Sequence, residues 1–440
     1  MTERRPAGFG RRRPRRKRGS IEVRRPAAEI RRGLLSTGVT PGHLDLEGGP
    51  LVIERAKGVF VYDASGREYL DGFAGYLTSS VGYGRSRIAE AVGAQLAKMN
   101  YAPLDWRAHR PALELAEALL ARSPDMARVF LCSGGSEAVD TALKIALLWG
   151  ARQRPRRRDI VFRRGSYHGA TLGATSVVGF PSLREPFGSL LPGAREVEEP
   201  LLAAAVIRGL DAGDGPGLAL LAEPVCAAMR VEIPPVNYWP AVSAALTERG
   251  MLLISDEVLT GVGRTGDWLA GKAFGLAPDL VVLAKGLSGG YAPLGAVMVS
   301  ARVAAIFEEE AFEHGFTFGG HPSGCAAALE TLKIIDEENL YANAARQGLR
   351  LRAGLERVTG KFDGFGSVAG LGLLCSIATA IHGEEKTALR AAFLSSGLIA
   401  HVEEGAVMFG PALSATDGEI DELAQRFEAG LKAFAGGGHG

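Results

Sequence analysis

From about residue 128 to 300, short apolar runs alternate with helical stretches, and this alternation constrains the fold more than any other feature of the chain. Arg128–Cys132, Asp159–Arg163, Gly217–Ala222, Met251–Ser255, Leu280–Ala284 and Ala296–Val299 are strand-sized, while 136–149 and 240–249 have helical spacing. Strands this apolar must be covered on both faces, which predicts an α/β fold with a mostly parallel sheet. Upstream, Gly58–Asp71 reads as a hairpin around Asp63-Ala64-Ser65-Gly66. Helices are predicted over 85–98 and 111–121, and residues 321–340 read as one long helix that leaves the sheet. A mixed α/β segment runs from there to about 436.

Composition narrows the class. Of 440 residues, 47% are hydrophobic and 22% charged, as in a globular protein. The longest apolar runs fall far short of the roughly 20 residues of a membrane span. Four scattered cysteines (Cys132, Cys226, Cys325 and Cys375) form no CxxC, so a reduced, cytoplasmic protein without disulfides or a metal site is expected. The net charge of +1 hides an asymmetry: residues 1–32 hold 13 of the 50 Lys and Arg but only 3 of the 49 Asp and Glu. This tail cannot bury itself and is expected to be disordered. One basic run without a nucleic-acid-binding pattern is a weak signal for that partner.

In open α/β sheets, ligands sit outside the carboxyl ends of the strands, so the loops that follow them matter most. After Val129–Leu131 comes Cys132-Ser133-Gly134-Gly135-Ser136 leading into a helix, a candidate phosphate cradle of free N–H groups. A plain strand-to-helix turn with Ser136 as N-cap would look the same. No Walker lysine follows, which excludes a P-loop nucleotide enzyme. After Leu252–Ser255 comes Asp256, a carboxylate that is costly at the end of a buried strand unless paired. Its partner could be a protonated ring nitrogen, a metal, or an ordinary cation such as Arg264. After Leu280–Ala284 comes Lys285, where burial would lower the amine pKa and suit it to covalent and proton-transfer work. A snorkelling lysine is the ordinary alternative. The three together match the arrangement that holds pyridoxal 5′-phosphate, a lysine with an acidic partner for the pyridine nitrogen.

With these residues in place, the chain resembles the class III aminotransferases over about residues 45–435. Asp256–Gly266 carries the resemblance most strongly, with Pro278-Asp279-Leu280, Ala284-Lys285-Gly286, Gly290–Gly295, Ser166–Gly169, Glu223-Pro224-Val225 and His314–Pro322. The resemblance implies the pyridoxal 5′-phosphate-dependent transferase fold type I, with a large domain and a smaller α/β domain. The expected division is a basic tail 1–33, small-domain parts 34–95 and 336–435, a large domain 96–335 and a frayed end 436–440. The implied activity is ping-pong amino transfer between an amine or amino acid donor and a keto acid or other carbonyl acceptor.

The resemblance also implies roles. Lys285 would hold the cofactor and carry the proton, and Asp256 would keep the pyridine nitrogen protonated. Gly134, Gly135 and Ser136 would bind the phosphate. Tyr167 and Val258 would pack on the ring faces, with His168 and Glu223 beside them. Thr317 would reach the cofactor of a neighbouring subunit, which implies a homodimer with shared sites. The chain departs from the family where substrate is read. Ala170 and Leu259 replace an Arg and a Gln of the ornithine and 4-aminobutyrate branches, and His401 stands where the ω-amino acid:pyruvate branch has Arg. His401, Arg163 and Arg164 remain candidates for a substrate carboxylate. An aminomutase, or a cofactor-binding regulatory protein without turnover, would keep the same lysine and aspartate.

Overall fold

The computed structural model describes residues 50–188, 191–213 and 216–436. The tail 1–33, residues 34–49 and residues 437–440 of the end expected to fray lie outside the described residues. The strands, in chain order, are β1 (Ile53–Lys57), β2 (Phe60–Asp63), β3 (Glu68–Asp71), β4 (Met126–Cys132), β5 (Ile160–Arg163), β6 (Ala194–Val197), β7 (Ala219–Ala222), β8 (Leu252–Asp256), β9 (Leu280–Leu283), β10 (Gly295–Ser300), β11 (Phe365–Leu371), β12 (Leu374–Thr379), β13 (Leu398–Ile399), β14 (His401–Glu403) and β15 (Ala406–Phe409).

The central sheet has the order β4-β10-β9-β8-β7-β5-β6. Pairing is parallel from β9 through β8, β7 and β5 to β6, and antiparallel where β10 meets β4 and β9. Six strands therefore share one direction and β10 opposes them. The mostly parallel sheet is as expected, but the run Ala296–Val299 is its reversed strand. The link between β9 and β10 is too short for the helical crossover of a dozen or more residues that a parallel return requires.

Alternate side chains of the central strands enter different cores. Ile160, Phe162, Leu252, Ile254, Leu280 and Val282 pack with the helix Gly135–Ala151 on one face. On the other, Val161, Leu220 and Leu253 pack with the helices Ala203–Leu210 and Tyr238–Glu248, while Val281 and Leu283 join the largest core cluster. The period of two on a doubly covered sheet explains why these runs are apolar throughout. Each fully buried Leu, Ile or Val contributes about 1.5–3 kcal/mol. Gly135–Ala151 buries Ala138, Val139, Ala142, Ile145, Ala146 and Trp149, a stripe at spacings of three and four.

Two smaller four-stranded sheets have the orders β1-β2-β3-β13 and β11-β12-β15-β14. The expected hairpin is the antiparallel β2–β3 pair, and Asp63 closes its turn by accepting from the Ser65 and Arg67 N–H groups. The sequence pattern missed β6, whose Ala-Arg-Glu-Val is too polar to stand out. It also overran the long helix. Pro322–Glu337 and Leu340–Thr359 are separate helices, broken at Asn339, whose φ of 52° is a left-handed conformation that Asn tolerates. No described helix is long and apolar enough to cross a membrane.

Candidate active site

Because β4, β5, β7, β8 and β9 run in one direction, their carboxyl ends converge, and a cavity of about 480 Å³ opens there. Its size suits a cofactor with a small substrate. Glu223 directly follows β7, Asp256 ends β8, and Lys285 lies two residues beyond β9; all three line the cavity. Gly134, Gly135, Ser136, Tyr167, His168 and Val258 line it as well.

The floor is a buried network. His168 Nδ1 lies 2.7 Å from Asp256 Oδ2, with both side chains buried, and the Val258 N–H donates to Asp256 Oδ1 at 3.1 Å. A charge-assisted hydrogen bond of this kind contributes about 1.5–3 kcal/mol. His168 Nε2 is buried without a partner. Glu223 accepts from the Tyr167 and Ala227 N–H groups at 3.3 and 3.0 Å. Burial pushes its carboxyl up to about 7, the charge of Asp256 adds to this, and His168 and Arg163 oppose it. Burial also lowers the Lys285 amine below the usual lysine range, while the Asp256 carboxylate pulls it back up. A titratable amine facing a buried carboxylate can move a proton near neutral pH.

The residues present fit pyridoxal 5′-phosphate. Gly134 is the N-cap of a 17-residue helix and makes no side-chain cap, so the first-turn N–H groups are open to an anion. A Cβ on Gly135 would stand 3.1 Å from Val258 and intrude on the cavity wall. The Ser136 hydroxyl accepts from the Ala170 N–H at 3.0 Å, which fixes its side chain at the cradle. Asp256 supplies the carboxylate that a protonated ring nitrogen would need.

Five candidates lie outside the cavity lining. Arg264 does not pair with Asp256. It is buried in the loop after β8 and donates to the Leu373 and Pro411 carbonyls at 2.9 and 2.5 Å. Arg163 is also fully buried and donates to the Glu223 carbonyl and to the Tyr238 hydroxyl, away from any substrate. Arg164 is held by Glu196 and Glu198. His401 is not among the cavity-lining residues: its ring stacks on Phe73 at 4.6 Å and its Nε2 lies 3.1 Å from Glu403. Thr317 is exposed outside the cavity, and its carbonyl accepts from the Tyr101 hydroxyl. The sequence offered no sign of Tyr76, whose carbonyl accepts from Lys285 Nζ at 3.1 Å, because a backbone group carries no residue signature.

Comparison with known proteins gives the family. The class-III aminotransferase family model matches residues 45–431. A putrescine–pyruvate aminotransferase of Pseudomonas aeruginosa is 32% identical, covering 86% of this chain and 89% of that protein. A probable gamma-aminobutyrate transaminase of rice, Oryza sativa subsp. japonica, is 34% identical over 87% of each. The crystal structure of a thermostable (S)-enantioselective omega-transaminase from Thermomicrobium roseum superposes with a TM-score of 0.88 at 34% identity, covering 93% of this chain and 98% of that one. The fold is that of the type I pyridoxal 5′-phosphate enzymes, and the chain belongs to the class III aminotransferases, which use this cofactor to transfer amino groups.

Proposed function

We propose that Lys285 is the residue that holds the cofactor and carries the proton in amino transfer, with Asp256 as the partner of the pyridine nitrogen. The observation behind this reading is the convergence of Lys285, Asp256 and an uncapped helix N-terminus on one cavity. When bound, the cofactor supplies an electron-withdrawing ring that makes the donor's α-proton acidic. The chain does the rest. Gly134, Gly135 and Ser136 hold the phosphate, and Tyr167 and Val258 confine the ring. His168 orients Asp256, and Glu223 lies beside them. The lysine amine, its pKa lowered by burial, takes a proton from the substrate carbon and returns it to the cofactor.

Lys285 is the only lysine or arginine among the described residues lining the cavity. That favours a donor whose reacting end carries no carboxylate, such as a terminal amine like putrescine or 4-aminobutyrate, with a carbonyl compound as acceptor. His401 could serve a carboxylate only by leaving Glu403. Exposed Thr317 is read as reaching the cofactor of a second copy, which makes the working unit a homodimer. The domain boundaries near 96 and 336 belong to the same reading. A cytoplasmic location is supported by four buried, unpaired cysteines.

A donor and acceptor screen on the loaded protein tests this. The expected result is stoichiometric conversion of the cofactor to its pyridoxamine form with release of a carbonyl product. A product that keeps its amino group on the same molecule, or no spectral change with any donor, overturns it.

A further inference from the structure

Six non-glycine residues among those described have positive φ, and four of them lie in two segments joined by a contact at Lys285. Three are Ala74 (43°), Tyr76 (60°) and Leu77 (66°), which with Gly75 (56°) make a single left-handed turn. The fourth is Lys285 itself, at 37°. Side chains with a Cβ disfavour this region, and strain of this kind persists only where the surroundings impose it.

Asp71 braces the turn. Its buried carboxylate accepts from the Phe73 N–H at 3.0 Å, the Gly75 N–H at 2.8 Å and the Tyr83 hydroxyl at 2.6 Å. The Leu77 N–H donates to the Phe73 carbonyl and the Thr78 hydroxyl to the Gly75 carbonyl, which closes the turn. The Tyr76 carbonyl, left out of these bonds, receives Lys285 Nζ at 3.1 Å. A relaxed right-handed or extended turn would aim that carbonyl elsewhere.

We propose that Asp71 is a positioning residue for the proton carrier, holding the left-handed turn so that the Tyr76 carbonyl is a fixed acceptor for the Lys285 amine whenever that amine is free. The amine is then kept at one place on the cavity wall and does not swing between turnovers. A carbonyl accepts more strongly from an ammonium than from a neutral amine, so the contact also favours the protonated form. It acts with Asp256, the charged group facing Lys285, against the burial that lowers the amine. Tyr167, His168 and Glu223 are the other titratable groups of the cavity. This inference rests on the reading of Lys285 as the proton carrier.

The test is the pH dependence of Lys285 acylation in the full-length protein without cofactor, followed by peptide mass spectrometry, for the wild type and Asp71→Asn. The amide keeps the size but places a donor against the Gly75 N–H. The expected result is a Lys285 apparent pKa lower by about one unit, a roughly tenfold rise in the neutral fraction at a given pH below it. Tyr83→Phe, which leaves the carboxylate and removes one of its three donors, is expected to give a smaller shift in the same direction, and it carries the test if Asp71→Asn does not fold. Identical pH profiles in a folded variant would mean that Asp71 only stabilises the fold and would overturn the proposal. Failure of the underlying reading looks different: Lys285→Ala would then retain amino transfer, whatever Asp71 does.

Discussion

Asp256, Glu223 and Lys285 stand at or just beyond the ends of three adjacent strands of one sheet, whereas Phe73, Tyr76 and His401 come from a left-handed turn and from β14 of another sheet. In the first group Asp256 is bonded to His168, and Glu223 accepts from the Tyr167 and Ala227 N–H groups. The second is a ring cluster in which Tyr76 is 64% exposed and His401 stacks on Phe73. The difference separates groups fixed by the sheet from groups fixed by one another. Groups that must hold a charge or a proton sit on rigid strand ends, while the outer cluster is built from contacts that side-chain changes can alter without disturbing the sheet.

Four substitutions can break or sharpen that contrast. Lys285→Ala should have the largest effect, lowering kcat by about 10²–10⁴-fold or more, the worth of a positioned proton carrier. Steady-state kinetics checks it, and a wild-type rate would remove the inner wall from the chemistry. Asp256→Asn should lower kcat by about 10- to 100-fold, the worth of a hydrogen bond to a charged group. A change in KM alone would take Asp256 out of the proton chemistry.

Glu257 sharpens the comparison through stability. Its buried carboxyl accepts from the Thr260 hydroxyl and from the Ala270 and Gly271 N–H groups, and burial pushes it up to about 7 from an ordinary 4.5. Between those values the folded protein retains a proton that the unfolded chain has lost. Stability from this group is therefore full below pH 4.5 and declines as pH rises through 7. Glu223 adds to the same decline. Thermal unfolding of Glu257→Gln should give a lower Tm at pH 5 but a flatter profile from pH 5 to 7.5, and an unchanged slope would contradict the assignment. His401→Ala should have the smallest effect. Loss of a ring stack worth about 0.5–1.5 kcal/mol would lower Tm by at most about 2–4 °C and leave kcat within about twofold. A collapse of kcat would place His401 in the chemistry.

The same contrast explains what the sequence could reveal. Strand ends were legible because apolar runs such as Leu280–Leu283 stop abruptly, so the polar residue that follows is marked by position. The Gly134-Gly135-Ser136 turn was legible because close backbone approach and helix initiation both leave residue signatures. The Tyr76 carbonyl was not legible, because Phe73-Ala74-Gly75-Tyr76-Leu77 holds one glycine in a turn where four residues are left-handed. Arg163 and Arg264 were misread for a related reason. An arginine near a site suggests a ligand for anions, yet both are buried and bonded to carbonyl oxygens, a pairing only tertiary structure reveals.

The most direct test of the central claim is to reduce the cofactor-loaded protein with borohydride and map the modified peptide by mass spectrometry. A single pyridoxyl adduct on Lys285, absent after exposure to an amine donor that converts the cofactor to its pyridoxamine form, is the predicted result. An adduct on another lysine, or none at all, would contradict it.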